Sequence, residues 1–118
     1  MTIPTDLVRV EAVIRPFVLD DVKDRLQELG VGGMTVLEVR GFGRTGGRSE
    51  VHGGSAYVLD FIPKLMVHVV VPAARAEEVV EAIRMAAATG RIGDGKIFLV
   101  PVLDAVRIRT GERGEQAL

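Results

Sequence analysis

The chain has 118 residues, so a single domain is the prior, and roughly two-thirds of its unfolded surface can be buried at that size. Sixteen acids against fifteen bases give a net charge of −1, which argues against a nucleic-acid binder held by many uncompensated Lys and Arg. There is no Cys, which excludes disulfides, thiolate catalysis and Cys-ligated metals, and the two His, His52 and His68, leave little for an all-His metal site.

The elements follow in chain order. Val8 to Ile14 reads as a strand of near-period-two alternation, closed by Arg15-Pro16. Asp20 and Asp21 offer N-cap chemistry and charge at a helix start. Val22, Leu26 and Leu29 recur at helical spacing, with Gly30 as the stop. Met34 to Val39 is a second strand, and Gly41 to Ala56 is a long, Gly-rich polar loop. Tyr57 to Ile62 is apolar again until Pro63 interrupts; Leu65 to Val71 is a buried strand stopped by Pro72. Arg75 to Ala88 is a helix whose apolar stripe is Val79, Val80, Ile83, Met85 and Ala86, ended by Gly90. Ile97 to Val102 is the last strong strand, and Val106 to Ile108 adds a short one.

Val10 to Pro16 and Val67 to Pro72 open two similar halves, each followed by a helix. The order is that of an α+β, ferredoxin-like βαββαβ fold: a four-stranded antiparallel sheet with both helices on one face. The strand around Val67 to Val71 is apolar on both sides, which predicts self-association through the open face. No apolar run approaches the ~20 residues that span a bilayer, and the first thirteen residues show no signal-peptide pattern. The expectation is a cytoplasmic protein of one domain, residues 1–118, that does not itself enter a membrane.

Three glycine clusters mark the candidate chemistry. Gly41-Phe42-Gly43-Arg44-Thr45-Gly46 matches G-x-G-x-x-G, but the Gly-rich stretch after it cannot supply the helix a dinucleotide fingerprint requires. Gly90-Arg91-Ile92-Gly93-Asp94-Gly95-Lys96 lacks the P-loop spacing and stands after a helix and before a strand. Exposed backbone amides beside Lys96 and Arg91 would suit a polyphosphate, and a helix stop with an incidental Lys reads equally well. Arg107 and Arg109, alternating on the last short strand, supply either a cationic site with Lys96, Arg44 and Lys64 or a basic edge that blocks aggregation. His52 falls in the loop and His68 in a strand, and no local spacing places a carboxylate pair. Nothing here reads as an enzyme.

Together these residues resemble the PII signal-transduction family of nitrogen regulators. The likeness runs from about Val10 to Leu118 and is carried by Arg15-Pro16-Phe17, Leu19-Asp20-Asp21-Val22, Gly33-Met34-Thr35-Val36, Gly41-Phe42-Gly43-Arg44, Tyr57-Val58-Leu59-Asp60-Phe61, Pro63-Lys64, Thr89 to Phe98, and Arg107 to Glu112. It implies a homotrimer that binds ATP or ADP between neighbours, with Mg accompanying ATP. It assigns Thr35 and the Val70 backbone to adenine, and Gly41, Phe42, Gly43 and Arg44 to the phosphate region. Gly93, Asp94, Gly95 and Lys96, within a second nucleotide loop over residues 88–96, would approach with them. Arg107 and Arg109, in a C-terminal segment over 107–118, would come from the adjoining subunit. Residues 41–56 match the family's T-loop, which docks on a regulated transporter or metabolic enzyme. Thr45 and Lys64 fall where the family holds 2-oxoglutarate.

The departures fall at the same places. The family usually has Gln at position 45, and here Thr45 lacks the amide carbonyl; the next position, often Lys, is Gly46. Position 68, usually Glu near the nucleoside, is His68. Tyr57 matches a tyrosine that some members have nucleotidylylated, but its surroundings differ and favour a plain loop-base aromatic. Two functions therefore stand: a nitrogen regulator that senses 2-oxoglutarate with Mg-ATP, and a divergent sensor that binds adenine nucleotides and reads their ratio or bicarbonate instead.

Overall fold

A computed structural model describes residues 6–42 and 61–118. Its four strands are β1 (Leu7–Ile14), β2 (Thr35–Gly41), β3 (Ile62–Pro72) and β4 (Gly95–Val102), with helices α1 (Leu19–Glu28) and α2 (Ala76–Ala87). All pairings are antiparallel and the sheet order is β2-β3-β1-β4. This is the ferredoxin-like βαββαβ arrangement expected from the two similar halves.

Alternation decides which face the helices cover. Val10, Ala12 and Ile14 of β1 lie beside Val69, Val67 and Leu65 of β3, and the valines and alanine are buried. Val18 and the α1 residues Val22 and Leu26 close over this row. From α2 come Ala76, Val79, Ile83 and Ala87, a stripe at spacings of three and four that turns one side of the helix to the sheet; Met85, expected in that stripe, falls off this spacing and is exposed. The strands' other residues, including Arg9, Glu11, Met66, His68 and Val70, point to the opposite face.

Both halves enter their helix the same way. A proline ends the strand region, and a single 3₁₀ turn follows: Pro16–Val18 before α1, Ala73–Arg75 before α2. Asp20 and Asp21 therefore sit inside the first turn of α1 and make no capping hydrogen bond; the helix starts a residue earlier, and they act through charge on the helix N-terminus. At the other end Gly30, at φ +78°, donates to the Gln27 carbonyl while Val31 donates to Leu26, the two bonds of a Schellman stop.

Two prolines stand inside strands, where the sequence pattern placed breaks or gave no warning. Pro63 belongs to β3, but β1 ends opposite Leu65, so at Pro63 only β2 needs a partner. Pro101 belongs to β4, which among the described residues pairs with β1 alone. Each has one unpaired side, where the missing N–H costs no ladder bond. Among the described residues no helix is long and apolar enough to cross a membrane.

Candidate functional site

The open face of the sheet carries a groove of about 820 Å³, in the size range of small-molecule sites. Thr35 and Val70 line it, as do Arg9, Arg75 and Arg107. Thr35 stands opposite His68, and His68 opposite Glu11, so one cross-strand row runs along the floor. Arg9 holds Glu11 through Nη2 at 2.7 Å and Nε at 3.0 Å, and His68 Nε2 lies 3.5 Å from the same carboxylate oxygen. The Met66 Sδ sits 3.1 Å from His68 Nε2 on the other side. Arg75 donates to the Leu29 carbonyl and to Glu78, tying the start of α2 to the end of α1. The groove thus combines a flat, weakly polar region at Thr35 and Val70 with fixed guanidinium groups, a surface suited to a ring joined to an anion.

The C-terminal arm reaches the same groove. Residues 108–110 form a turn and the strand expected over Val106 to Ile108 shrinks to one bridge, Val106 to Arg113. The physical reason is local closure: Gly111 donates to the Arg107 carbonyl at 2.7 Å and Arg107 N–H to Glu112 at 2.9 Å, which uses the backbone groups a strand would need. Arg107 and Arg109 therefore do not share a strand face. Arg107 points into the groove and its Nη2 donates to Leu118 O at 2.8 Å, whereas Arg109 is exposed on the turn. Arg113 and Asp104, 2.6 Å apart, fasten the base of this arm.

The loop between α2 and β4 is built around Asp94. Its carboxylate accepts from the Thr89 N–H at 2.7 Å, the Gly90 N–H at 2.9 Å, the Thr89 hydroxyl and Arg15 Nε at 3.1 Å. The Thr89 hydroxyl bond is the largest of the influences that hold the Asp94 carboxyl well below the usual carboxylate range. The helix itself ends at Ala87 with an extended Ala88, so Gly90, at φ +85°, shapes this loop rather than stopping the helix. Gly95 opens β4 against β1 so closely that a Cβ there would stand 1.7 Å from the Val13 carbonyl oxygen. Its glycine is demanded by strand contact, with no ligand invoked.

Lys64 reaches across from β3 and donates to the Gly93 carbonyl. Burial lowers its pKa first and the nearby Arg15 charge lowers it further, against an opposing pull from Asp94. A desolvated ammonium beside a second cation favours an added anion. Asp94, Gly95 and Lys96 line a second, smaller groove of about 280 Å³. Gly41 is the last residue of β2, and Phe42 follows it with its ring centroid 5.3 Å from that of Phe61, edge to face. The expected sites Gly43, Arg44, Thr45 and Tyr57 lie outside the described residues.

The structure thus brings Thr35, Val70 and Arg107 of the same chain to one groove, whereas the resemblance placed Arg107 on the adjoining subunit, and it joins Lys64 to the Gly93–Lys96 loop. Sequence patterning missed Arg9, Arg75 and Arg15. A same-side Arg9–Glu11 pair two apart on a strand was a legible signal; Arg75 and Arg15 act on residues 46 and 77 to 79 positions away and left none.

Comparison with known proteins agrees with this architecture. The family model "Nitrogen regulatory protein P-II" matches residues 7–112. The chain belongs to the P-II family. A nitrogen regulatory protein P-II of Azospirillum brasilense is 53% identical over 110 residues, covering 93% of this chain and 98% of that one. One from Rhizobium meliloti is 56% identical over the same length and coverage. Among solved structures, Arabidopsis thaliana PII bound to citrate superposes with a TM-score of 0.80 at 39% identity, over 97% of this chain and 94% of that chain. The P-II fold here carries the role of its family, signal transduction in nitrogen regulation through partner proteins.

Proposed function

We propose that this P-II chain binds ATP or ADP on the open sheet face, in clefts completed by neighbouring copies of a homotrimer. The observation that carries the reading is the groove itself: Thr35 and Val70 beside Arg9 and Arg107, with room for a nucleotide. Adenine would stack and hydrogen-bond at Thr35 and the Val70 backbone, and phosphates would meet guanidinium forks and Lys96. Phe98 and Leu99 of the edge strand β4, half exposed, supply apolar area for contact between copies. Among the described residues no group of three or more acidic or His side chains could hold a metal. Mg would be held chiefly by the phosphates it accompanies, where it screens their charge.

Lys64, desolvated and cation-crowded, supports a carboxylate effector, and 2-oxoglutarate fits it. The citrate on the Arabidopsis relative is likewise a small carboxylate. Nucleotide and effector together would bias the conformation of residues 41–56 and so the choice of partner, a transporter or a metabolic enzyme. Thr45 and Gly46 favour a second reading, in which the nucleotide site works without 2-oxoglutarate and the chain reads the adenylate ratio or bicarbonate.

The test of the nucleotide site is Lys96→Ala. Calorimetry with ATP should show affinity reduced by about tenfold or more, as expected for one charge-assisted phosphate contact. Unchanged affinity would remove Lys96 from the site.

A further inference from the structure

Arg15 follows the last residue of β1, and its guanidinium reaches the loop between α2 and β4. Nη2 donates to the Ile92 carbonyl at 2.8 Å and Nε to Asp94 Oδ1 at 3.1 Å. The two acceptors flank Gly93, which holds φ +102°; a Cβ there would stand 3.0 Å from Arg15 Nη2. Asp94 passes the restraint on, because its carboxylate also gathers the N–H groups of Thr89 and Gly90. Residues 88–94 contain no helix or strand, so side-chain bonds of this kind set the loop's shape. The next two residues are Gly95 and Lys96, where β4 takes up its register on β1.

We propose that Arg15 is a positioning residue of the nucleotide site. Through Asp94 and the Ile92 carbonyl it holds residues 89–94 in the shape that presents Lys96 and the loop amides to phosphate, without itself touching the nucleotide. This rests on the nucleotide reading above. Arginine suits the task because one planar fork serves a carbonyl and a carboxylate together. The same guanidinium is the charge that crowds Lys64, so one side chain shapes the phosphate loop and tunes the cation beside it.

The experiment uses the nucleotide-free full chain, Arg15→Gln, Asp94→Asn and the double variant, each titrated with ATP well below its unfolding midpoint. Each single variant should weaken ATP by about tenfold, the value of a lost charged hydrogen bond. The double variant should lose clearly less than the roughly hundredfold of two independent changes, since both break the Arg15–Asp94 bond they share. Amide exchange at Thr89 and Gly90 should quicken in Arg15→Gln while that of β1 and β3 stays slow, and the Lys64 ammonium should titrate at higher pH. ATP affinity within twofold of wild type in Arg15→Gln overturns the proposal, as does a double loss near a hundredfold, which would mean independent action. A wild-type chain that fails to bind ATP instead overturns the nucleotide reading on which it rests.

Discussion

Gly95→Ala is the sharpest test of how β4 meets β1. Gly95 has φ +110°, and its added Cβ would fall 1.7 Å from the Val13 carbonyl oxygen. That oxygen belongs to the strand backbone and cannot swing aside as a side-chain tip can. The left-handed conformation costs an L-residue about 1–3 kcal/mol, and forcing strands apart costs about 1–3 kcal/mol more. A loss of about 2–6 kcal/mol is a large share of the 5–15 kcal/mol typical of a domain. Two other glycines separate the contributions. Gly90→Ala meets the positive φ of +85° but open space, so it should lose only the conformational part. Gly33→Ala meets neither, and should change stability by less than about 1 kcal/mol in either direction. Urea unfolding followed by circular dichroism at one fixed chain concentration reads all three. At a slope of about 2 kcal/mol/M, Gly95→Ala should lower the midpoint by about 1–3 M. A Gly95→Ala midpoint equal to that of Gly33→Ala would refute the argument that strand contact demands this glycine.

Two further outcomes follow from the core and from Asp94. Ile83, fully buried between α2 and the sheet, should lose about 2–5 kcal/mol on change to Ala in the same urea assay. Asp94 has a folded-state pKa below its ordinary 3.8, so its contribution is present above that value and is lost as pH falls through the depressed one. The stability gap between wild type and Asp94→Asn should therefore be constant near neutrality and narrow progressively below about pH 4; a gap that widens with acid would reverse the assigned sign.

The strands and helices were legible because their signals are local. Val22 and Leu26 recur with the helix period, and Val67, Val69 and Val71 alternate with the strand period, so burial on one face was written in spacing. What escaped depends on distance along the chain. Gly95 stood in a glycine cluster in sequence, which did not show that the neighbouring strand 82 positions away, at Val13, requires it. The engagement of Asp94 with Thr89, Gly90 and Arg15 was not visible in its spacing. Arg107 and Arg109 alternate in sequence, yet the turn closed by Gly111 separates them. Pro63 read as a break because sequence alone does not show that β1 ends before reaching it. The family motifs singled out Thr35 and Val70, which line one groove, and Lys64, which reaches Gly93, because a resemblance carries long-range information that periodicity lacks.

The most direct measurement is calorimetric titration of nucleotide-free protein with ATP, then with 2-oxoglutarate in the presence and absence of Mg-ATP. Saturable ATP binding is expected, with a 2-oxoglutarate signal only when Mg-ATP is bound. ATP binding with no 2-oxoglutarate signal would leave the adenylate-reading sensor of Thr45 and Gly46, and the same titration with bicarbonate would follow. No ATP or ADP binding at any concentration would contradict the reading of the groove at Thr35, Val70 and Arg107 as a nucleotide site.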